Sequence, residues 1–103
     1  MEPIFLTDGR RHLICVPYSR ENCFKMAAAL DISSHWWHRD HFDVPMRRKS
    51  QIETFCVKVS PKQIVLVIRG KLTYDDIVSY VKENPSHVGD RVSHDLRRAA
   101  GLC

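Results

Sequence analysis

The chain of 103 residues is 44% hydrophobic and 27% charged, which is the composition of one small globular domain with a single modest core. The longest apolar run, residues 64–68, is far shorter than the roughly 20 residues that a membrane-spanning helix needs, so no membrane partner is expected. The formal net charge of +4 is compatible with an anionic partner such as nucleic acid or a nucleotide, although many proteins carry such a charge without one.

The four cysteines are widely spaced and form no Cys-x-x-Cys pair. Cys15 and Cys56 lie inside apolar, strand-like runs, where a buried free thiol is the expected state. The first residues lack the basic and apolar segments of a signal peptide. Because reduced cysteines are typical of cytoplasmic proteins, we expect the protein to be cytoplasmic.

The N-terminal third of the chain predicts two short strands and a helix. An apolar run at 4–6 and a β-rich run at 13–16 flank a turn signal at residues 8–9. Ser19 is a suitable N-cap for a helix over about residues 20–30, where apolar residues recur at helical spacing.

The middle of the chain predicts a short basic helix, a strand and a second helix. Pro45 suits the first position of the basic helix, with Asp43 nearby as a candidate cap. Residues 54–59 are rich in β-forming side chains and predict a strand. Residues 64–68 have the propensity of a strand as well, but the serine, proline and glutamine that precede them favour a helix over 61–69.

The C-terminal third predicts two further helices. A capping-box pattern that begins at Thr73 opens an amphipathic helix ending near Glu83, and residues 91–100 form the last helix. We therefore expect an α/β domain in which a small sheet of short strands is flanked by helices. In this interpretation residues 1–70 form the α/β core and residues 71–103 form a helical C-terminal extension.

Residues 35–45 hold the densest chemistry of the chain, since three of the six histidines and both tryptophans fall within them. Imidazoles and carboxylates follow one another there in the order His38, Asp40, His41 and Asp43. Together these groups are the ligand set of Zn²⁺, Mn²⁺ and Fe²⁺ sites, and also of general acid–base pairs. Their spacing matches no named metal motif, so a divalent metal is one of several alternatives.

The arrangement of this polar series depends on the backbone that carries it. An extended segment would place its first histidine and first aspartate on one face and the second pair on the opposite face, whereas a turn could bring all four together. His12, at the start of the second strand, is the best distant candidate to join them. The plainer alternative is that these groups hydrogen-bond to one another and to loop backbone, and only fix a long connection between helices.

Basic and aromatic residues surround the polar series. Arg39, Arg47 and Arg48 could neutralise phosphate, and Trp36 or Trp37 could stack a base. The alternative is a solvated basic face beside two tryptophans that belong to the core or to its rim.

Several features follow one another in a recognisable order: a His-Leu-Ile strand at 12–14, an alanine-rich helix end at 26–30, a tryptophan, and the run Asp-His-Phe-Asp at 40–43 before a proline and a basic segment. This order, over about residues 3–70, resembles the small bacterial and phage proteins grouped as domain of unknown function 4031. The loop at 7–11 is shorter than the family usually has, which bears on the site if that loop helps to build it. The family has no established activity, so the resemblance mainly draws attention to the Asp-His-Phe-Asp run.

We expect a protein that binds or acts on a phosphate-containing ligand, either nucleic acid or a nucleotide. The expected catalytic groups are His12, His38, Asp40, His41 and Asp43. If the protein is an enzyme, these groups suit hydrolysis of a phosphoester or glycosidic bond, with His41 as acid or base and Asp43 orienting it. The alternative is a non-enzymatic, phage-type interaction protein that binds and modulates a host protein through its tryptophans and C-terminal helices.

Overall fold

The computed structural model describes residues 2–102, which form a five-stranded mixed sheet flanked by helices. The strands are β1 (Ile4–Thr7), β2 (His12–Val16), β3 (Trp37–His38), β4 (His41–Asp43) and β5 (Val57–Lys58). They lie in the order β3-β4-β2-β1-β5, and all neighbours are antiparallel except β1 and β5, which are parallel. The predicted α/β class with a small sheet of short strands is confirmed.

The helices account for most of the remaining chain. They are α1 (Arg20–Ala29), α2 (Met46–Glu53), α3 (Pro61–Ile68), α4 (Tyr74–Glu83) and α5 (His94–Ala99), with short 3₁₀ helices at Ser34–Trp36 and Pro85–His87. Within residues 2–102, none of these helices has the length and apolar character that a bilayer crossing requires.

Local capping decides the conformation of the apolar run in α3. The hydroxyl of Ser60 accepts a hydrogen bond from the N–H of Gln63 at 3.1 Å, and the side-chain oxygen of Gln63 accepts one from the N–H of Ser60 at 2.7 Å. Pro61 occupies the first helical position, where its missing N–H leaves no hydrogen bond unmade. The helix predicted over 61–69 is confirmed, because these signals outweigh the β-propensity of the residues that follow.

A tight hairpin joins β3 and β4 and reverses the chain within the polar series. Arg39 and Asp40 form its turn, and Arg39 adopts a left-handed backbone with φ of 62°. His38 is then paired with His41 across the hairpin. Paired residues of neighbouring strands point to the same face of the sheet, so the two histidines share a face. The turn is the alternative that the structure shows, and the extended arrangement is wrong.

The register between β2 and β4 gives that part of the sheet one polar and one apolar face. His12 is opposite Asp43, and at the next position Leu13 is opposite Phe42. Because successive strand residues point to opposite faces, the first pair lies on one face and the second pair on the other. His41 precedes Asp43 by two residues and therefore lies on the polar face.

The apolar face belongs to a core that includes the C-terminal segment. Phe42 is fully buried, and its ring centre lies 5.3 Å from that of Phe24 and 5.0 Å from that of Trp37. The same cluster contains the buried residues of the chain after position 70, which are Ile77, Val81, Leu96 and Ala100. The predicted C-terminal extension thus packs on the core of the sheet.

Three predictions around α2 need correction. The strand predicted over 54–59 is limited to β5, because the N–H groups of residues 54–56 bond to carbonyls three residues earlier and prolong the end of α2. Pro45 occupies the position before the helix, where no side chain caps the N-terminus. Asp43 is a residue of β4 and does not cap α2.

The last helix begins later than the residues 91–100 predicted from the sequence. It starts at His94 because Ser93 is its N-cap, and the Ser93 hydroxyl accepts a hydrogen bond from the N–H of Leu96 at 3.4 Å. The residues before this cap form turns and bends instead.

Cys15, Cys23 and Cys56 are buried free thiols, which confirms the prediction made for the first and last of them. Burial raises the pKa of the Cys56 thiol, so this group stays protonated at neutral pH. The Sγ atoms of Cys15 and Cys23 lie 3.8 Å apart in the interior.

Candidate metal centre

The first half of the site is built in the loop between β1 and β2. Asp8 follows β1, and its charged side chain is fully buried. Its Oδ1 accepts hydrogen bonds from the backbone N–H groups of Arg10 and His12, at 2.8 and 3.3 Å. Its Oδ2 lies 2.6 Å from Nδ1 of the His12 ring. The Asp8 carboxylate thus closes the loop and holds the His12 imidazole in one orientation.

The charge state of Asp8 determines which nitrogen of His12 carries a hydrogen. Burial raises the pKa of the Asp8 carboxyl, but the hydrogen bonds from the His12 ring and from the Arg10 N–H, together with the charge of His12, lower it further than burial raises it. The net pKa lies below the ordinary value, so Asp8 is ionised at neutral pH and can only accept. Nδ1 of His12 therefore donates to Asp8, and when Nε2 carries no hydrogen it offers a lone pair.

The β3–β4 hairpin supplies the second half of the site in the same way. Oδ1 of Asp40, in the turn, lies 2.7 Å from Nδ1 of His41. When Nδ1 donates to this carboxylate, Nε2 of His41 also offers a lone pair. The His41 side chain is only 17% exposed, compared with 42% for His12, so His41 is the better shielded of the two rings.

The two Nε2 atoms converge on one carboxylate. Oδ1 of Asp43 lies 3.1 Å from Nε2 of His41 and 3.7 Å from Nε2 of His12. One ligand atom from each of the three residues lies within 4.8 Å of the other two. Donor atoms around a tetrahedral zinc ion, with bonds of roughly 2.0–2.1 Å, are roughly 3.3–3.4 Å apart, so small movements of the side chains would give coordination distances.

Carboxylates behind the histidines are a second feature of metal centres. A metal-bound histidine almost always donates its other N–H to a carboxylate, a carbonyl or water, which fixes the ring and increases its basicity. Asp8 places its carboxylate at Nδ1 of His12, and Asp40 places its carboxylate at Nδ1 of His41. Two imidazoles and one carboxylate suit Zn²⁺, Mn²⁺ or Fe²⁺, and leave further coordination positions for water or substrate.

His38 lies at the edge of this centre. Its Nδ1 is 3.7 Å from Oδ2 of Asp43, the carboxylate oxygen that does not face the other two histidines. Its side chain is 59% exposed, and its ring centre lies 5.4 Å from that of His41. This position places a third imidazole beside the centre, in contact with solvent.

The predicted phosphate- and base-binding residues are not brought together in one place. Arg39 is exposed in the hairpin turn beside the candidate centre, while the guanidinium of Arg47 lies 5.8 Å from the ring centre of Trp36. Arg48 donates to two backbone carbonyls at the end of α1 and so holds that helix end to α2. Trp36 and Trp37 both pack, partly buried, against the core.

A groove of about 200 Å³ opens beside the candidate metal centre. The carboxylate–histidine pairs of the two loops form one wall, and α3 forms the other. The side chains of Ile64, Val65 and Ile68 line the α3 wall, where Val65 is 44% exposed. A molecule in this groove would contact the histidines on one side and an apolar surface on the other.

Asp8 is a site residue that was not predicted, because the sequence indicated only a turn at residues 8–9. The available signal was an aspartate four residues before the histidine that begins a predicted strand, with a glycine between them. That signal is weak, because aspartate is common in turns for reasons of backbone hydrogen bonding.

The chain matches no protein-family model, no curated protein and no solved structure.

Replacing Asp8 by asparagine is expected to reduce the free energy of unfolding at pH 7 by about 1.5–3 kcal/mol, because a buried, charge-assisted hydrogen bond to His12 is lost. The pKa of Asp8 is lower in the folded protein than its ordinary value of 3.8, so its contribution is complete above that value and disappears as the pH falls through the folded pKa. The difference in free energy of unfolding between the wild type and the variant, called the stability gap below, should therefore become smaller below about pH 4. Urea unfolding at several pH values measures the gap, with the exposed Asp90→Asn as control. A gap that stays constant with pH would contradict this role.

Proposed function

We propose that the protein binds one divalent transition-metal ion through His12, His41 and Asp43 and uses it to hydrolyse a phosphate ester in a nucleotide or nucleic acid. The observation that supports this proposal most is the convergence of two carboxylate-held histidines on the same oxygen of Asp43.

The positions of the ring nitrogens support a cation at this point. When both imidazoles donate from Nδ1 to Asp8 and Asp40, two lone pairs and a carboxylate oxygen face one another. Three acceptors that converge repel unless a cation lies between them. A proton can join one histidine to Asp43, whereas a divalent ion bonds to all three groups.

Arginines near the centre support a phosphate-containing ligand. Arg10 and Arg11 are exposed in the loop that carries Asp8, and Arg39 is exposed in the turn that carries Asp40. Their guanidinium groups are well suited to phosphate oxygens, and they lie on the two loops that build the site. The net charge of +4 also favours the approach of an anion.

The residues around the ion have separate tasks in hydrolysis. His12, His41 and Asp43 would hold the divalent ion, which would polarise the phosphoryl group and lower the pKa of a coordinated water to about 7. The arginines neutralise the phosphate oxygens. His38, exposed beside Asp43, donates a proton to the leaving oxygen.

The proposal is tested by titrating metal-free protein with Zn²⁺ and Co²⁺ in a calorimeter. We expect one ion per chain, and an affinity more than about 100-fold weaker in His41→Ala and Asp43→Asn, because even the carboxylates behind the ligands contribute 10–100-fold in metal sites. His94→Ala, which removes an exposed histidine of α5, is the matched control and should bind as the wild type does.

Phosphate release from nucleotides and fragmentation of short DNA and RNA strands, measured with the metal-loaded protein, test the reaction itself. Hydrolysis that is lost in both ligand variants supports the proposal. If wild type and ligand variants bind metal equally, the metal centre is wrong. If the metal binds but no phosphate ester is hydrolysed, the proposed metal site is supported and the hydrolase assignment is wrong.

We further propose that the chain is related to domain of unknown function 4031 and that it acts in the cytoplasm. The first proposal is supported by the Asp-His-Phe-Asp run at 40–43, which supplies one side of the candidate centre. The second is supported by the free thiols of Cys15 and Cys23, which lie in contact without a disulfide, as in a reducing compartment.

A further inference from the structure

A second pocket lies beyond the metal groove along α3 and the segment that follows it. Its volume is about 340 Å³, near the lower end of the range for small-molecule sites. Apolar and aromatic side chains supply most of its lining, among them Ile68, Leu72 and the rings of Tyr18 and Tyr74. A pocket of this size accommodates a group such as a nucleobase and is too small for a folded partner.

Two residues connect this apolar pocket to the metal groove. Ile68, at the end of α3, lines both of them. Tyr18 lines the apolar pocket, and its hydroxyl donates a hydrogen bond of 2.7 Å to the backbone carbonyl of Asp40, the residue behind the metal ligand His41. The wall of the pocket and the turn of the metal centre are therefore held together.

The two compartments differ in their polar groups. The groove is lined by two histidines and their carboxylate partners opposite the aliphatic side chains of α3, while the pocket is lined by aliphatic side chains and two tyrosine rings. A molecule that fits both has a phosphate at one end and a flat, largely apolar group at the other. Stacking of a base on aromatic side chains stabilises such a complex, and every base has a face that can stack.

We infer that the substrate is a nucleoside monophosphate whose base lies in the pocket of Tyr18, Ile68, Leu72 and Tyr74 while its phosphate lies at the metal centre. This inference rests on the proposed function. In the reaction the oxygen of water bonds to phosphorus, and the bond from phosphorus to the nucleoside oxygen breaks. The leaving oxygen takes up a proton, and the products are nucleoside and inorganic phosphate.

The test compares adenosine monophosphate with ribose 5-phosphate, which has the phosphate and the sugar but no base. We expect the metal-loaded protein to bind the nucleotide roughly 10–100-fold more tightly than ribose 5-phosphate, and to have a KM lower by a similar factor. This is the gain in affinity that stacking of one base on aromatic side chains provides. Leu72→Asn should abolish most of this preference by raising the KM for the nucleotide toward that for ribose 5-phosphate. Met46→Asn, at an exposed apolar residue outside the pocket, is the control.

Binding and turnover are measured separately, so that the two proposals can fail independently. Equal binding of the two ligands, or a preference that Leu72→Asn leaves intact, would overturn the pocket assignment even if phosphate esters are hydrolysed. Preferential binding of the nucleotide without any phosphate release would support the pocket and overturn the hydrolase proposal. Efficient cleavage of oligonucleotides without hydrolysis of the mononucleotide would also overturn the inference.

Discussion

Replacing Phe42 by alanine is expected to reduce the free energy of unfolding by about 3–5 kcal/mol. Phe42 is fully buried, and its ring contacts those of Phe24 and Trp37, so alanine would leave a cavity that three elements share. The loss is large because small domains have a total stability of only about 5–15 kcal/mol. Urea unfolding followed by circular dichroism measures it.

Two further variants separate this core effect from a general loss of aromatic packing. Phe55→Ala removes a half-buried ring and should cost clearly less than Phe42→Ala. Phe42→Leu keeps most of the buried volume and should cost less than about 1.5 kcal/mol, which remains measurable if Phe42→Ala fails to fold. Equal losses in Phe42→Ala and Phe55→Ala would show that the core is centred elsewhere.

Metal binding is expected to stabilise the fold by a comparable amount. A ligand that binds only the native state contributes about 2.7 kcal/mol at 100 times its Kd. For a domain of this size each kcal/mol corresponds to a Tm change of about 4–8 °C, so saturating Zn²⁺ should raise Tm by roughly 10–20 °C. A thermal melt followed by circular dichroism, with and without the metal, measures the shift.

The ligand variants show whether this stabilisation comes from the proposed centre. Asp43→Asn should remove most of the shift, His94→Ala should retain it, and a chelator should reverse it in the wild type. Asparagine has nearly the shape of aspartate, so a changed shift reports on charge and coordination. The same Tm increase in Asp43→Asn and in wild type would mean that the metal binds elsewhere in the chain.

Local signals made the helices the most predictable part of the fold. Ser60 and Gln63 cap α3 through a few covalent neighbours, so the sequence contains the whole interaction. The strand predicted over 54–59 failed for the opposite reason. Residues 54–56 have β-propensity, but they prolong the end of α2, and a strand forms only where two residues pair with β1, which lies far away in the sequence.

The three candidate ligand residues could be predicted from the sequence, but the way in which their side chains face one another could not. The residue types indicated that His12, His41 and Asp43 belong together, because they are the groups that bind metals and move protons. Which nitrogen faces which oxygen follows from the pairing of β2 with β4 and from the turn at Arg39, and neither is readable from spacing. Asp8 escaped prediction because its role depends on burial, which requires the complete fold.

The pairing of His12 with Asp43 affects how often the β3–β4 hairpin opens when a metal is bound. These two residues are separated by roughly 30 positions, and a metal bound to both would close that stretch of chain into a loop. Such a cross-link removes conformational entropy from any state in which the ligands stay bound. The short β3–β4 hairpin, at the edge of the sheet and held by few backbone hydrogen bonds, would then open less often, and its amide hydrogens would exchange more slowly in the metal-bound protein.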